Sequence, residues 1–216
     1  MTNLELSNHI RENHKSNNRS VSKRKPVHGF GINDADYIVC PVVDGIRYRC
    51  PSYVAWSSMI SRCNDKKIHE RQPKYARVTV CDEWKSFMRF RDWWVSHNVD
   101  GWDIDKDILT DSKTYSPQTC IFIPPWINTF TSDGAAKRGE HPIGVCFNKR
   151  DGKFMARCCN PIVSKIDNLG YFDDKMDAHM AWMKRKLSIA LELKDSFDKV
   201  DCRIYPRIVE IIKRAK

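Results

Sequence analysis

No stretch of the chain approaches the roughly 20 consecutive apolar residues that a membrane-spanning helix needs. The opening segment MTNLELSNHIRENHKSNNRS holds no apolar core between its charges, so it does not read as a secretory leader. A soluble, cytoplasmic protein with no membrane partner is the expectation. The sequence also lacks the two close cysteine pairs of a zinc ribbon: of its nine cysteines only Cys158 and Cys159 are neighbours, a poor geometry for one tetrahedral metal. Structural zinc is therefore not expected, and Cys63, Cys81 and Cys120 are the set that would have to converge to hold one. An odd cysteine count in an ordinary core-forming composition argues for reduced thiols. Carboxylates are short as well: 27 Asp and Glu face 37 Lys and Arg, a formal +10 and a pI near 9.2. That excess favours a polyanionic partner, bound through phosphate neutralisation and counterion release, over a merely well-solvated surface.

A chain of 216 residues suits one large domain or two small ones, and the pattern predicts two. Residues 1–35 are polar and basic, with Arg11, Lys15, Arg19, Lys23, Arg24 and Lys25 set among Asn and Ser, and read as a flexible arm, helical at most over residues 4–14. Folded structure is expected from about Tyr37. There DYIVCPVV and IRYRC read as two strands around an Asp44-Gly45 turn. Tyr53, Trp56, Met59, Ile60 and Cys63 then recur at helical spacing behind Ser52 as a cap. After a loop, RVTVC reads as a strand and DEWKSFMRFRDWWVSHN as a helix with Asp82 and Glu83 in its first turn. Trp56, Trp84, Phe87 and Trp94 are assigned to the core rather than to base stacking. The segment around DIDKDIL, YSPQTC and IFIPPWINTF predicts strand, turn, strand and a short helix from Pro125.

Residues 36–133 thus form one expected domain and residues 134–140 a basic linker. In residues 141–216 three strands (PIGVCFNKR, GKFMARCCN and NLGYF), the first two joined at Asp151-Gly152, precede a helix over residues 174–193. Met176, Met180, Met183, Leu187, Ala190 and Leu191 are read as that helix's apolar face, and a last basic helix starts near Pro206. The fold class is α+β.

The middle segment resembles the HNH-like proteins of bacteriophages and mobile elements. The resemblance rests on Tyr53, Trp56 and Met59 with Arg62-Cys63, then Val80-Cys81 with Trp84 and Phe87, then DIDKDIL, YSPQTC and Asn128, and covers residues 52–130. Residues 141–193, through GVCFNKRDGKFMAR, NLGYF and a helix bearing Ala178, look like the Apetala or ethylene-response type of DNA-binding domain that commonly sits behind such a module. Together they imply a small ββα-metal module with flanking helices, followed by a three-stranded antiparallel sheet packed on a helix, in a homing-type DNA endonuclease whose partner is double-stranded DNA.

What the HNH resemblance implies for chemistry is a bound metal stabilising the leaving oxygen of a phosphodiester while a base activates water. Carried across, Asp105 and Asn128 become the metal ligands, oxygen donors suited to Mg2+ or Mn2+. The general-base position falls on Lys106 and the base-orienting position on Thr119, where the family has His and Asn. Either another residue, such as His97 or His141, supplies the base, or the fold persists in a DNA-binding protein that does not cleave. A third alternative is a host-takeover factor meeting an acidic protein or a ribonucleoprotein. Asp103, Asp105 and Asp107 also have a plainer reading, as strand-face acids neutralising nearby lysines. In the sheet, alternation in KFMAR puts Lys153, Met155 and Arg157 on one face and Phe154 and Ala156 on the other. Lys149, Arg150, Lys153 and Arg157 are the candidate DNA contacts, with Arg157 the foremost base reader.

Overall fold

The computed structural model describes residues 1–132 and 140–215. All but the last residue of the expected linker, 134–140, lies outside the described residues. The chain is a mixed α+β protein that separates into two compact units, Met1–Ile123 and Pro124–Lys216. The boundary thus falls about ten residues earlier than the expected end of the first domain, because the segment after Ile123 packs within the second unit.

The first unit begins at once, and the flexible arm is a misreading. Helix α1 (Asn3–Asn13) is closed by a capping box in which Thr2 Oγ1 accepts from the Glu5 amide and Glu5 accepts from the Thr2 amide. Ile10 is buried in the core. Ser7 is buried too, its hydroxyl 2.9 Å from Ser52 Oγ. A short helix α2 (Asn18–Ser22) follows. Arg24 then ties the segment down, its guanidinium donating to the carbonyls of Asn33, Ala35 and Tyr37. A cation satisfied by three backbone acceptors organises the chain around it as an apolar side chain would.

The Asp44-Gly45 turn is present, both residues at positive φ (50° and 77°), and it joins β1 (Val42–Val43) to β2 (Ile46–Arg47) in antiparallel register. Two positive φ values match the right-handed twist of a tight hairpin. Helix α3 (Pro51–Asn64) starts one position before the expected cap: Cys50 is the N-cap, Pro51 takes the first turn, and Ser52 is buried. The stretch read as a loop contains α4 (Lys66–Arg71). Strand β3 (Thr79–Val80) pairs in parallel with β5 (Thr114–Tyr115), a long-range pairing that local pattern does not reveal. Asp82 and Glu83 belong to a separate 3-10 turn, and α5 (Phe87–His97) is capped instead by Ser86, whose hydroxyl accepts from the Arg89 amide.

The core is aromatic as expected. Trp56, Trp84, Phe87 and Phe90 are fully buried and Trp94 nearly so. Trp56 Nε1 donates to the Trp84 carbonyl at 2.8 Å, satisfying the indole's polar atom while its ring is buried. Strand β4 (Asp103–Asp105) pairs antiparallel with β6 (Ile121–Ile123).

In the second unit, α6 (Pro125–Thr131) packs through Trp126 and Phe130, whose rings lie 5.1 and 5.6 Å from that of Phe197. Strands β7 (Val145–Asn148), β8 (Lys153–Asn160) and β9 (Lys165–Phe172) form one antiparallel sheet in the order β7-β8-β9. Helix α7 (Lys175–Glu192), N-capped by Asp174, covers one face of it, with α8 (Lys194–Asp198) and α9 (Ile204–Arg214) following.

Of the expected stripe Ala190 is buried and Met183 and Leu187 are half-buried, but the buried face of α7 is centred elsewhere. Ala178, His179, Trp182, Lys186, Ile189 and Ala190 are buried, whereas Met176, Met180 and Leu191 are exposed. Two polar residues on the true face disguised it. Lys186 lays its ammonium 3.5 Å from the centre of the Phe130 ring, a cation held by a π face. His179 sets its two ring nitrogens 2.9 and 3.2 Å from the carbonyls of Ile143 and Ala215, so in either tautomer a ring N–H donates to one of them. His179→Leu is expected to cost about 1–3 kcal/mol in denaturant unfolding by leaving a buried carbonyl unpaired.

Candidate functional site

Asp105, Lys106 and Thr119 lie in the first unit and Asn128 in the second, on α6. Asp105 closes β4. Its Oδ1 accepts from the amides of Asp107 and Ile108 at 2.8 and 2.7 Å, which pins the carboxylate at the start of the DIDKDIL turn. Burial is the largest influence on this group and raises its pKa above the ordinary carboxylate value, against those two hydrogen bonds and nearby Lys106, which lower it. With Oδ1 committed to the backbone, Oδ2 is the oxygen suited to a hard cation. Asp103 stands on the same face of the strand, since register pairs Asp103 with Ile123 and Asp105 with Ile121. The carboxylate of Asp105 is an oxygen donor of the kind that suits Mg2+ or Mn2+, whereas Asn128 belongs to the other unit.

Lys106 does not stand where a base would meet water. It is only 3% exposed, its Nζ bonds Asp107 Oδ1, and the ammonium sits 5.4 Å from the centre of the Tyr115 ring. Arg62 approaches the same ring, at 5.7 Å. Thr119 is equally committed: its hydroxyl donates to the Thr114 carbonyl at 2.7 Å and accepts from the Ser116 amide at 3.0 Å, holding the SPQT turn closed. His97 stacks on Trp93, which stacks on Phe122 in turn. Phe122 pairs with Ile104, so this stack lies on the face of the β4-β6 hairpin opposite Asp105. His141 belongs to the second unit, edge-on to Phe154.

Cys63, Cys81 and Cys120 do not gather around a common point: among the described residues no three His, Cys, Asp or Glu side chains converge as a metal-holding group. Burial pushes Cys120 up to about 12 and Cys63 up to about 11, so both thiols are protonated at neutral pH and serve as packing groups.

Lys149, Arg150, Lys153 and Arg157 are all brought to the β7-β8 hairpin, and all are exposed. The alternation is as expected: Lys153 and Arg157 face away from α7, whereas Ala156, Cys158 and Asn160 are buried beneath it. A register shift between Ala156 and Arg157 bulges the β8-β9 pairing: Ala156 lies opposite Gly170 and Arg157 opposite Asn168, which leaves Leu169 of β9 as the extra residue. Arg157 borders a shallow depression with Gly144, Val145, Cys146, Cys159 and Ile166. Tyr171, paired with Met155, extends the open face and is half exposed. Of the carboxylates nearby, Asp167 pairs with Arg185 of α7, Asp173 pairs with Lys153 itself, and Asp151 accepts a hydrogen bond from Asn148. Among the described residues the side chains of Lys149, Arg150 and Arg157 have no ion-pair partner.

Sequence reasoning missed Tyr171, Asn168 and Ile166 as parts of this face. The pairing of β9 would have named them, but the bulge breaks the simple alternation from which that pairing is read. No helix among the described residues is long and apolar enough to cross a membrane. Comparison with protein-family models, with curated proteins and with solved structures returns no match.

Proposed function

We propose that this protein binds double-stranded DNA through the open face of the β7-β8-β9 sheet. The observation that carries the reading is the exposed Arg157, without an ion-pair partner among the described residues, on the open sheet face whose end carries Lys149 and Arg150. A sheet face can enter the major groove, where an arginine meets guanine in bidentate fashion. Lys149 and Arg150, in the turn at the sheet's end, are placed for phosphates. The Lys149→Ala, Arg150→Ala double variant is expected to weaken binding to every duplex alike and to flatten the plot of log affinity against log salt by about 2, near 0.9 per lost phosphate contact. Fluorescence anisotropy on a labelled duplex at several salt concentrations reads both quantities. Tight capture of an acidic protein with no binding to DNA would instead support the host-factor alternative.

A second reading, cleavage of the bound DNA by an HNH-like module, is favoured by one feature: a half-buried, backbone-pinned Asp105 at the end of β4, which pairs antiparallel with β6. A bound Mg2+ or Mn2+ would supply charge to the leaving oxygen. Asp105 would hold it through Oδ2, the oxygen not committed to the backbone. Incubating the protein with supercoiled plasmid and either metal tests this reading: conversion to open circles supports it, and tight binding with intact plasmid leaves a DNA-binding protein on an HNH-like scaffold.

A further inference from the structure

We infer that the β1-β2 ribbon of the first unit is a second duplex-DNA contact, seated in a groove with Arg47 and Arg49 on the phosphates. The inference rests on the reading that the protein binds duplex DNA, but it is carried by a different surface. Every residue from 42 to 49 is exposed, while Pro41 and Cys50 at its base are buried. Val42 and Ile46 are each 59% exposed, and Val43 and Tyr48 are open as well. An isolated two-stranded hairpin is marginal in water, and a soluble fold rarely leaves such a row of apolar side chains bare without a use for it.

The ribbon is nonetheless held at both ends. At the tip sits the tight Asp44-Gly45 turn. At the base, Tyr48 and Cys50 donate their amides to the carbonyls of Pro41 and Val39, both at 2.9 Å. The buried Cys50 thiol lies within 3.3 Å of the hydroxyls of Ser7, Tyr37 and Ser52. A rigid projection loses little conformational entropy on binding.

Register sorts its chemistry. Val43 pairs with Ile46 on one face, and Val42 pairs with Arg47 on the other. By alternation Tyr48 joins the apolar face and Arg49 the cationic one. Neither arginine has an ion-pair partner among the described residues, and the only carboxylate on the ribbon is Asp44, at the tip. A cationic face backed by aliphatic and aromatic side chains suits a polyanion with apolar base edges: a two-stranded ribbon fits the major groove, and apolar side chains wedge between base steps in the minor groove.

The test uses the full chain and a labelled duplex of mixed sequence, comparing wild type, the Arg47→Ala, Arg49→Ala pair, the Val43→Ser, Ile46→Ser pair, and Arg157→Ala. Because the ribbon residues are exposed, circular dichroism should be unchanged in both ribbon variants. The arginine pair is expected to lose about tenfold or more in affinity and to flatten the salt slope by about 2. The serine pair should weaken binding with the slope unchanged. Wild-type binding in both ribbon variants, with Arg157→Ala weakened, overturns the ribbon contact and leaves the sheet reading standing. No binding by the wild type overturns both. A parallel arm with phosphatidylserine vesicles covers the other anionic surface: vesicle binding that depends on Arg47 and Arg49, with DNA binding intact, overturns the inference in favour of a membrane surface.

Discussion

Gly144→Ala is expected to destabilise the second unit by roughly 2–5 kcal/mol, combining the cost of a left-handed backbone with that of overpacking. Gly144 sits at φ +81°, and a Cβ there would fall 2.1, 2.2 and 2.6 Å from Cγ, Cδ1 and Cβ of Trp182. These are the inner atoms of the indole side chain, so no rotation of its far end relieves the clash. Trp182 is itself buried under the sheet and stacked on His179. The alanine must therefore part the start of β7 from α7, against a total stability that is of order 5–15 kcal/mol for a domain. Urea unfolding followed by tryptophan fluorescence measures the effect. Gly152→Ala is the control: φ is +63° there, but nothing lies within 4 Å of the added carbon, so only the local backbone cost of about 1–2 kcal/mol remains. Equal losses at the two positions would show that packing against Trp182 is not what holds the sheet to the helix.

On the proposal that the protein cleaves DNA, Asp105→Asn is expected to abolish metal-dependent nicking, a loss of at least about a hundredfold where the carboxylate anchors the charge that stabilises the leaving oxygen. The same change should stabilise the first unit near neutral pH. Burial raises the Asp105 pKa, so the folded unit holds that proton more tightly than the unfolded chain does, and stability falls as pH rises through the carboxylate range. An asparagine keeps an oxygen for the amides of Asp107 and Ile108 without the buried charge. Its advantage over wild type should shrink as the pH is lowered into the range where Asp105 is protonated. Unfolding midpoints at a series of pH values, beside plasmid assays, separate the possibilities: a variant that is less stable at neutral pH and still nicks would make Asp105 a structural turn residue.

Much of this fold is legible in local pattern. The aromatic spacing of α3 and α5, the Asp44-Gly45 hairpin, the three strands around Asp151-Gly152 and the alternation that exposes Lys153 and Arg157 all follow from period and turn chemistry. What escaped has physical causes. The folded start of the chain was announced by Thr2 and Glu5 at capping-box spacing, but the basic composition after it obscured a signal only four residues long. The buried face of α7 was misassigned because Lys186 and His179 count as polar, although one is neutralised by a ring face and the other by backbone carbonyls. Met176 and Met180, which took their place in the pattern, are exposed. Parallel pairing of β3 with β5 joins segments 35 residues apart, which no local window sees. At the candidate site, Asp105 was legible as an acid on a strand, whereas the internal commitments of Lys106 and Thr119 depend on Tyr115 and the Thr114 carbonyl, neighbours that only the fold supplies.

The central claim is that the β7-β8-β9 face reads duplex DNA through Arg157, and anisotropy titration of wild type and Arg157→Ala on a labelled duplex, across a range of salt, tests it most directly. The expected result is steep salt dependence in the wild type and a loss of about 1–3 kcal/mol in the variant, roughly ten- to a hundredfold, that varies with the sequence of the duplex. A wild type that does not bind, or an Arg157→Ala variant indistinguishable from it on every duplex, would contradict the claim.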